Sequence, residues 1–207
     1  MLPATADPPP VEDTASRLAL LLSVVFSPFI CVPLFILVLV DATARSRSEF
    51  YFLSVLCIAL SIGLPLAYIA VNVRRGKISD IHVSQLDQRQ GPFRAGQVGL
   101  SLLALALWRC QAPCQLTHYV LSLLVQAALF QVISRRWKIS LHTGVLGACL
   151  AGCVAIANWS TLCLLWLGPL CWARATRKRH LWSQAAAGGL LGYLVTFYLL
   201  RLLGSNS

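Results

Sequence analysis

The sequence has few charged residues, and this scarcity excludes an ordinary soluble domain. Charged residues make up 12% of the 207 residues and hydrophobic residues 57%, with a mean hydropathy of +0.72. A soluble domain carries about 25% charged residues because its surface must stay hydrated. Several apolar stretches run for about 20 residues without a charge, which is the length of a membrane-spanning helix. The composition therefore predicts an integral membrane protein.

Acidic residues are especially scarce, and this argues against a Mg²⁺-diphosphate site. The chain has 7 Asp and Glu, and only Asp80 and Asp87 follow Glu49. A Mg²⁺ site of that kind usually needs more carboxylate ligands. On a helix the two acids could share a face, as in aspartate-rich prenyl-diphosphate sites, so a metal-dependent prenyl transferase or cyclase is one alternative. Otherwise the sequence indicates no metal and no cofactor.

The eight cysteines include no C-x-x-C pair, and most of them lie within apolar runs. Such cysteines behave as small hydrophobic residues. Cys110 and Cys114 flank a turn and are the one pair expected to be capable of a disulfide. The first 16 residues contain no Lys or Arg, three acids and a run of three prolines. They resemble neither a signal peptide nor a transit peptide, and residues 1–16 are predicted to be a disordered tail.

Apolar segments predict an all-α, polytopic membrane helix bundle of six or seven transmembrane helices. They cover residues 18–40, 50–73, 96–108, 115–133, 140–157, 161–173 and 180–203. If all seven cross the membrane, 13 of the 17 basic residues lie on the side of the N-terminus. The excess of positive charge predicts that this side is cytoplasmic in a multi-pass protein of the cell (inner) membrane. The basic loops can serve topology, bind anionic headgroups or bind a phosphate ligand; no nucleic-acid partner is expected.

Two histidines open two glycine-rich segments, and each follows a basic loop. His142 lies in Lys138-Ile-Ser140-Leu-His142, and His180 follows Arg174 by six residues. Neutral imidazole can act as a nucleophile or as a general acid and base. Guanidinium groups match phosphate oxygens, and the amides at a helix N-terminus favour an anion. The combination suggests phosphoryl transfer through a histidine.

These residues resemble the type 2 phosphatidic acid phosphatases, a family of membrane lipid phosphatases. The family's motifs read K-x6-R-P, S-G-H and S-R-x5-H-x3-D. Arg174 and His180 match the third motif, Ser140-Leu-His142 resembles the second with its glycine replaced, and Arg89 stands for the arginine of a modified first motif. The resemblance covers residues 74–192. The modified first motif is similar to that of a bacterial subgroup of the family. Residues 17–207 would then form one transmembrane phosphatase-like domain.

The resemblance implies a role for each matching residue. His180 would be the nucleophile that forms a phosphohistidine, and His142 the general acid. The phosphate-binding residues would be Arg174, Arg89, Lys77 and Ser140. Gln184 stands where the family has an aspartate, and its amide oxygen at i+4 would orient the ring of His180.

The expected function is metal-independent hydrolysis of a lipid phosphate or isoprenoid diphosphate. The expected partners are that substrate and membrane lipids, while the oligomeric state is not indicated. A different class of function remains open, since a catalytically inactive relative could serve lipid binding or scaffolding. Gln184 and the modified first motif favour that alternative, whereas His142, Arg174 and His180 favour the hydrolase.

Overall fold

The computed structural model describes residues 13–80, 83, 85 and 87–205, and their regular structure is helical throughout, which confirms the predicted all-α class. The α-helices are α1 (Thr14–Val25), α2 (Pro28–Asp41), α3 (Arg47–Ile58), α4 (Leu64–Arg74), α5 (Gln90–Arg109), α6 (Cys114–Ile133), α7 (Leu141–Ala155), α8 (Leu167–Thr176) and α9 (Trp182–Gly204). A π-helix, Ala59–Gly63, joins α3 to α4, and 3₁₀ helices cover Asp87–Arg89 and Thr161–Trp166. Helix α1 begins inside the predicted 1–16 tail, of which residues 1–12 lie outside the described residues.

Three helical stretches are long and apolar enough to cross a membrane, which is consistent with a membrane protein. They are Arg47–Arg74, Cys114–Ile133 and Trp182–Gly204. Helices α1 and α2, bent by 49° at the break between them, count as a fourth if the pair is one span. Helix α7 is apolar but has only 15 residues. Length and hydropathy thus support three or four spans, fewer than the six or seven that the sequence predicts.

Helices α7 and α9 touch backbone to backbone at their glycines. A Cβ atom on Gly147 would overlap the carbonyl oxygen of Gly189, and one on Gly192 would overlap the carbonyl oxygen of Gly144. Small residues permit this approach, and in lipid close packing is a main source of helix association. The glycine-rich segments noted in the sequence are therefore the two faces of one interface.

A buried glutamine joins this helix pair to α6. The Gln126 side chain donates to the carbonyl oxygen of Gly144 over 3.0 Å and accepts from the Thr196 hydroxyl over 3.4 Å. Both side chains are buried, so each polar group finds its partner inside the bundle, as an apolar surrounding requires. One side chain thereby links α6, α7 and α9.

Cys110 and Cys114, the one pair that the sequence marks as capable of a disulfide, are both free and exposed. They flank the turn from α5 to α6, where Gln111 adopts a left-handed conformation with φ of 53°. The carbonyl of Gln111 accepts a hydrogen bond from Arg45 over 3.1 Å. The turn is thus held to the loop between α2 and α3 without a covalent link.

We expect Gly192→Ala to lower the free energy of unfolding by about 1–3 kcal/mol, because the new methyl group must displace the Gly144 carbonyl. The better helix propensity of alanine offsets at most about 1 kcal/mol of this cost. Gly96 has open space at its Cβ position, so Gly96→Ala is the matched control and should not destabilise. Unfolding by SDS in mixed micelles measures both; equal midpoints for the two variants would contradict the close contact.

Candidate functional site

A polar cavity of about 540 Å³ lies where the three basic loops meet. Its walls come from the loop before α5, the loop between α6 and α7, the turn between α8 and α9, and one face of α1. The lining residues are Leu20, Ser23, Val24, Ser79, Asp80, Gln85, Arg89, Lys138, Leu141, His142, Arg174, Arg177, Arg179 and His180. The loops that the charge pattern placed on one side therefore contribute to one cavity.

Four of the seven predicted site residues line this cavity: His142, His180, Arg89 and Arg174. His142 lies in the first turn of α7 and is buried, and His180 is buried just before α9 begins. The cavity thus brings together the two histidines and two arginines that the motifs singled out.

The other three predicted residues lie outside the cavity lining. Lys77 is exposed in the loop after α4. Ser140 is fully buried at the N-cap of α7, where its backbone N–H donates to the carbonyl of Gln184 over 3.2 Å. The hydroxyl of Ser140 has no hydrogen-bond partner among the described residues. In this structure Ser140 joins α7 to α9 rather than facing the cavity.

A backbone carbonyl, and not Gln184, orients the ring of His180. Nδ1 of His180 lies 2.9 Å from the carbonyl oxygen of Lys138. Because a carbonyl only accepts, Nδ1 must carry the proton, and in neutral imidazole the lone pair is then on Nε2. The Gln184 side chain instead accepts from the backbone N–H of Leu181 over 3.0 Å, since it lies in the first turn of α9 and caps that helix. The orienting contact predicted for Gln184 is corrected accordingly.

The spacing between Arg174 and His180 corresponds to a hydrogen-bonded turn. The carbonyl of Arg174 accepts from the backbone N–H of Arg179 over 3.1 Å and from that of His180 over 3.4 Å. Lys178 has a φ of 51°, a left-handed conformation that lets the chain reverse after α8. The turn therefore holds the nucleophile candidate, His180, close to the end of α8 that carries Arg174, and both side chains line the cavity.

Arg174 presents a buried donor without a protein partner. Its Nε atom has no hydrogen-bond partner among the described residues. Burial first, and then the charges of Arg179, Arg177 and Arg89, lower the pKa of Arg174 to about 10, so it remains charged at neutral pH. A buried, unpaired cationic donor is unfavourable alone and well suited to an anionic oxygen.

Arg89 holds two loops together and is itself buried. Its Nε donates to the carbonyl of Val83 and its Nη1 to the carbonyl of Ile139, both over 3.2 Å. Burial lowers the pKa of Arg89, and the negative charge of Asp80 opposes that shift. Two of its three guanidinium nitrogens thus donate to backbone carbonyls. Arg89 therefore stabilises the two loops in addition to the phosphate-binding role that the sequence predicts.

Positive charge dominates the cavity, and burial together with this charge keeps His180 neutral. Among the described lining residues, five are cationic and Asp80 is the one carboxylate. Burial first, and then the charges of Arg174, Arg89 and Lys138, lower the pKa of His180 to about 4, while the bond to the Lys138 carbonyl opposes the shift. At neutral pH the ring is therefore unprotonated on Nε2, as nucleophilic attack requires.

Sequence reasoning did not select Lys138, Arg177, Arg179 or the wall from α1. Arg177 and Arg179 belong to the basic loop that the sequence marked, and Lys138 immediately precedes the second motif. Their charge was a usable signal. The sequence contains no pattern that would identify the Lys138 carbonyl or the apolar face of α1 as part of the site, since neither depends on a distinctive side chain.

No protein-family model, no curated protein and no solved structure matches this chain. In the described part of the chain, no group of three or more His, Cys, Asp or Glu residues is placed to hold a metal ion.

We expect Arg174→Gln to raise the pKa of His180 above its low value near 4, because the variant removes a neighbouring positive charge. Arg136 is exposed and lies outside the cavity lining, so Arg136→Gln removes one charge without that effect. NMR titration of ring-labelled histidine in nanodiscs, with His180 assigned from the His180→Asn spectrum, measures both. An unchanged His180 titration in Arg174→Gln would contradict the described electrostatics.

Proposed function

We propose that this chain is a membrane-embedded phosphatase that hydrolyses a lipid phosphate or isoprenoid diphosphate through a phosphohistidine on His180. The observation that carries the proposal is the bond between His180 Nδ1 and the Lys138 carbonyl, which leaves Nε2 available in a strongly basic cavity. The motif resemblance to type 2 phosphatidic acid phosphatases supports the same assignment. A phosphate group brings the negative charge that the cavity lacks.

The proposed reaction has two displacements. Nε2 of His180 forms a bond to phosphorus while the bond from phosphorus to the leaving oxygen breaks, and His142 gives that oxygen its proton. Water then attacks the phosphohistidine, His142 accepts a proton from the water, and the bond from Nε2 to phosphorus breaks to release phosphate. Arg174 and Arg89 stabilise the charge on the phosphoryl oxygens.

The site suits an amphiphilic substrate. The cavity lies where α5, α7 and α9 begin and α8 ends, so it opens at one end of the apolar bundle. Leu20 and Val24 of α1 supply an apolar wall beside the arginines. A headgroup can bind the cations while the attached chain remains in contact with apolar surface.

We expect His180→Asn to abolish phosphate release from a lipid phosphate and to eliminate the acid-labile phosphoprotein seen on rapid quenching. His142→Asn should slow the hydrolysis of alkyl phosphates by about 10²–10⁴-fold, the usual contribution of a general acid. Hydrolysis of an aryl phosphate, which has a good leaving group, should be unaffected. His118 lies at the opposite end of the bundle, in the wall of a separate cavity, so His118→Asn is the matched control and should keep full activity.

The same assay separates the alternatives. Turnover that persists in EDTA agrees with histidine chemistry. Loss of turnover in EDTA with recovery in Mg²⁺ would favour the alternative of a metal-dependent enzyme that uses Asp80 and Asp87. Tight phosphate binding without turnover would favour a non-catalytic lipid-binding protein, a candidate that the two backbone contacts of Arg89 support. Equal hydrolysis by wild type and His180→Asn would refute the phosphohistidine.

We further infer a multi-pass arrangement of six or seven crossings, with the cavity on the cytoplasmic side of the cell (inner) membrane. Two apolar segments separate Arg89 from His142, and two more separate His142 from His180. An even number of crossings returns each motif to one face, in agreement with one shared cavity. The excess of basic residues at that end supports the cytoplasmic orientation.

Native cysteines test this orientation. Cys110 and Cys114 are exposed in the turn between α5 and α6, away from the cavity, so an impermeant maleimide should label them in intact cells. The C110S/C114S variant should lose that label. Adding Lys77→Cys to this variant places a thiol in the exposed loop after α4, and labelling should then require permeabilised cells. The reverse pattern would place the cavity outside.

A further inference from the structure

A second, apolar cavity lies within the bundle and adjoins the polar one. It has a volume of about 190 Å³ and is lined by α2, the end of α3, the π-helix, α5, α6 and α7. Protein interiors hold few voids larger than a water molecule. A dry cavity of about 150 Å³ lined by apolar side chains accepts a benzene-sized ligand. The volume here is sufficient for a stretch of hydrocarbon.

Ser61 and Gln126, two polar residues in the lining of this cavity, already have hydrogen-bond partners. The Ser61 hydroxyl donates to the Cys57 carbonyl over 2.5 Å, and the Gln126 amide is bonded to Gly144 and Thr196. Because these groups are satisfied, the cavity offers little to a polar ligand or to water, which favours a hydrocarbon occupant.

Helix α7 on one side, and the consecutive helices α1 and α2 on the other, extend from the polar cavity to the apolar one. Leu141, at the start of α7, lines both, while His142 faces the polar cavity and Val145 and Cys149 face the apolar one. From Leu141 to Cys149 the helix rises by about 12 Å. On the other side, Ser23 and Val24 of α1 line the polar cavity, and Pro28 and Val32 of α2 line the apolar one.

The π-helix supplies one wall of the apolar cavity. Ser61 and Ile62 of this segment face it, and Gly99 of α5 packs against the Leu60 carbonyl beside it. Single π-turns within α-helices occur frequently at functional sites. The π-helix thus forms part of the wall of this cavity, where the chain departs from regular α-helix.

We propose that the apolar cavity receives the hydrocarbon chain of the substrate, passing Leu141, while its phosphate binds in the polar cavity; this rests on the proposed phosphatase function. The substrate class is then a phosphate with a single slender chain held inside the bundle. A second chain, where present, stays in the bilayer. The cavity makes the enzyme selective for chain length.

A cavity-filling variant tests the proposal. Ala127 on α6 lines the apolar cavity, whereas Val125 on the same helix is 44% exposed on the outer surface. Ala127→Phe should lower kcat/KM for dodecyl phosphate by about tenfold, equivalent to removing about two methylene groups from burial, and leave butyl phosphate unchanged. Val125→Phe should change neither substrate. An equal effect of Ala127→Phe on both substrates, or no effect on either, would overturn the proposal.

A second measurement is independent of turnover. A dodecyl phosphonate with a diazirine on its chain should crosslink to α5 and α6 at lining residues such as Leu103 and Leu123. This labelling should disappear in Ala127→Phe and persist in Val125→Phe. Crosslinks confined to lipid-facing residues would overturn the proposal. If no phosphate ester is hydrolysed but the internal crosslinks form, the proposed catalysis fails while the chain site stands.

Discussion

The contact between the backbones of α7 and α9 is the constraint on which the site depends. Gly144 and Gly147 of α7 meet Gly189 and Gly192 of α9 without intervening side chains. Because the two helices touch here, their N-terminal ends are also held together. His142 lies in the first turn of α7, and His180 lies just before α9 begins. Larger residues at the contact would separate the helices and with them the two imidazoles.

Backbone groups complete the arrangement that the glycines begin. The amide of Ser140 binds the carbonyl of Gln184, and the carbonyl of Lys138 binds the ring of His180. Arg89 binds the carbonyl of Ile139 in the same segment. Residues 138–140 therefore connect α9, α7 and the loop before α5. This short segment orients the proposed nucleophile through main-chain atoms, which a change of side chain would not easily disturb.

The cavity concentrates positive charge without an equal amount of negative charge. In the described lining, five cations face one carboxylate, and their mutual repulsion disfavours an empty cavity and favours a bound anion. Burial first, and then these same charges, lower the pKa of His180 and keep it neutral. The cluster of cations thus favours anion binding and adds to the effect of burial on His180, and an amphiphilic phosphate fits between the charged cavity and the adjoining apolar space.

The sequence by itself determined the all-α class, the apolar segments and the chemical character of the site. Charge scarcity and apolar run length have direct physical meanings, and the spacing of His142, Arg174 and His180 selected residues that do share a cavity. Lys77, Ser140 and Gln184 were assigned from the family resemblance and, for Gln184, from its i+4 position. The structure places Lys77 and Ser140 outside the cavity lining and Gln184 in the cap of α9. Only the tertiary structure decided which group orients His180, because a backbone carbonyl is present at every residue and carries no sequence signal. The apolar cavity also required the fold, since it is a space enclosed by six helical elements, α2, α3, the π-helix, α5, α6 and α7, and space between helices depends on how they pack.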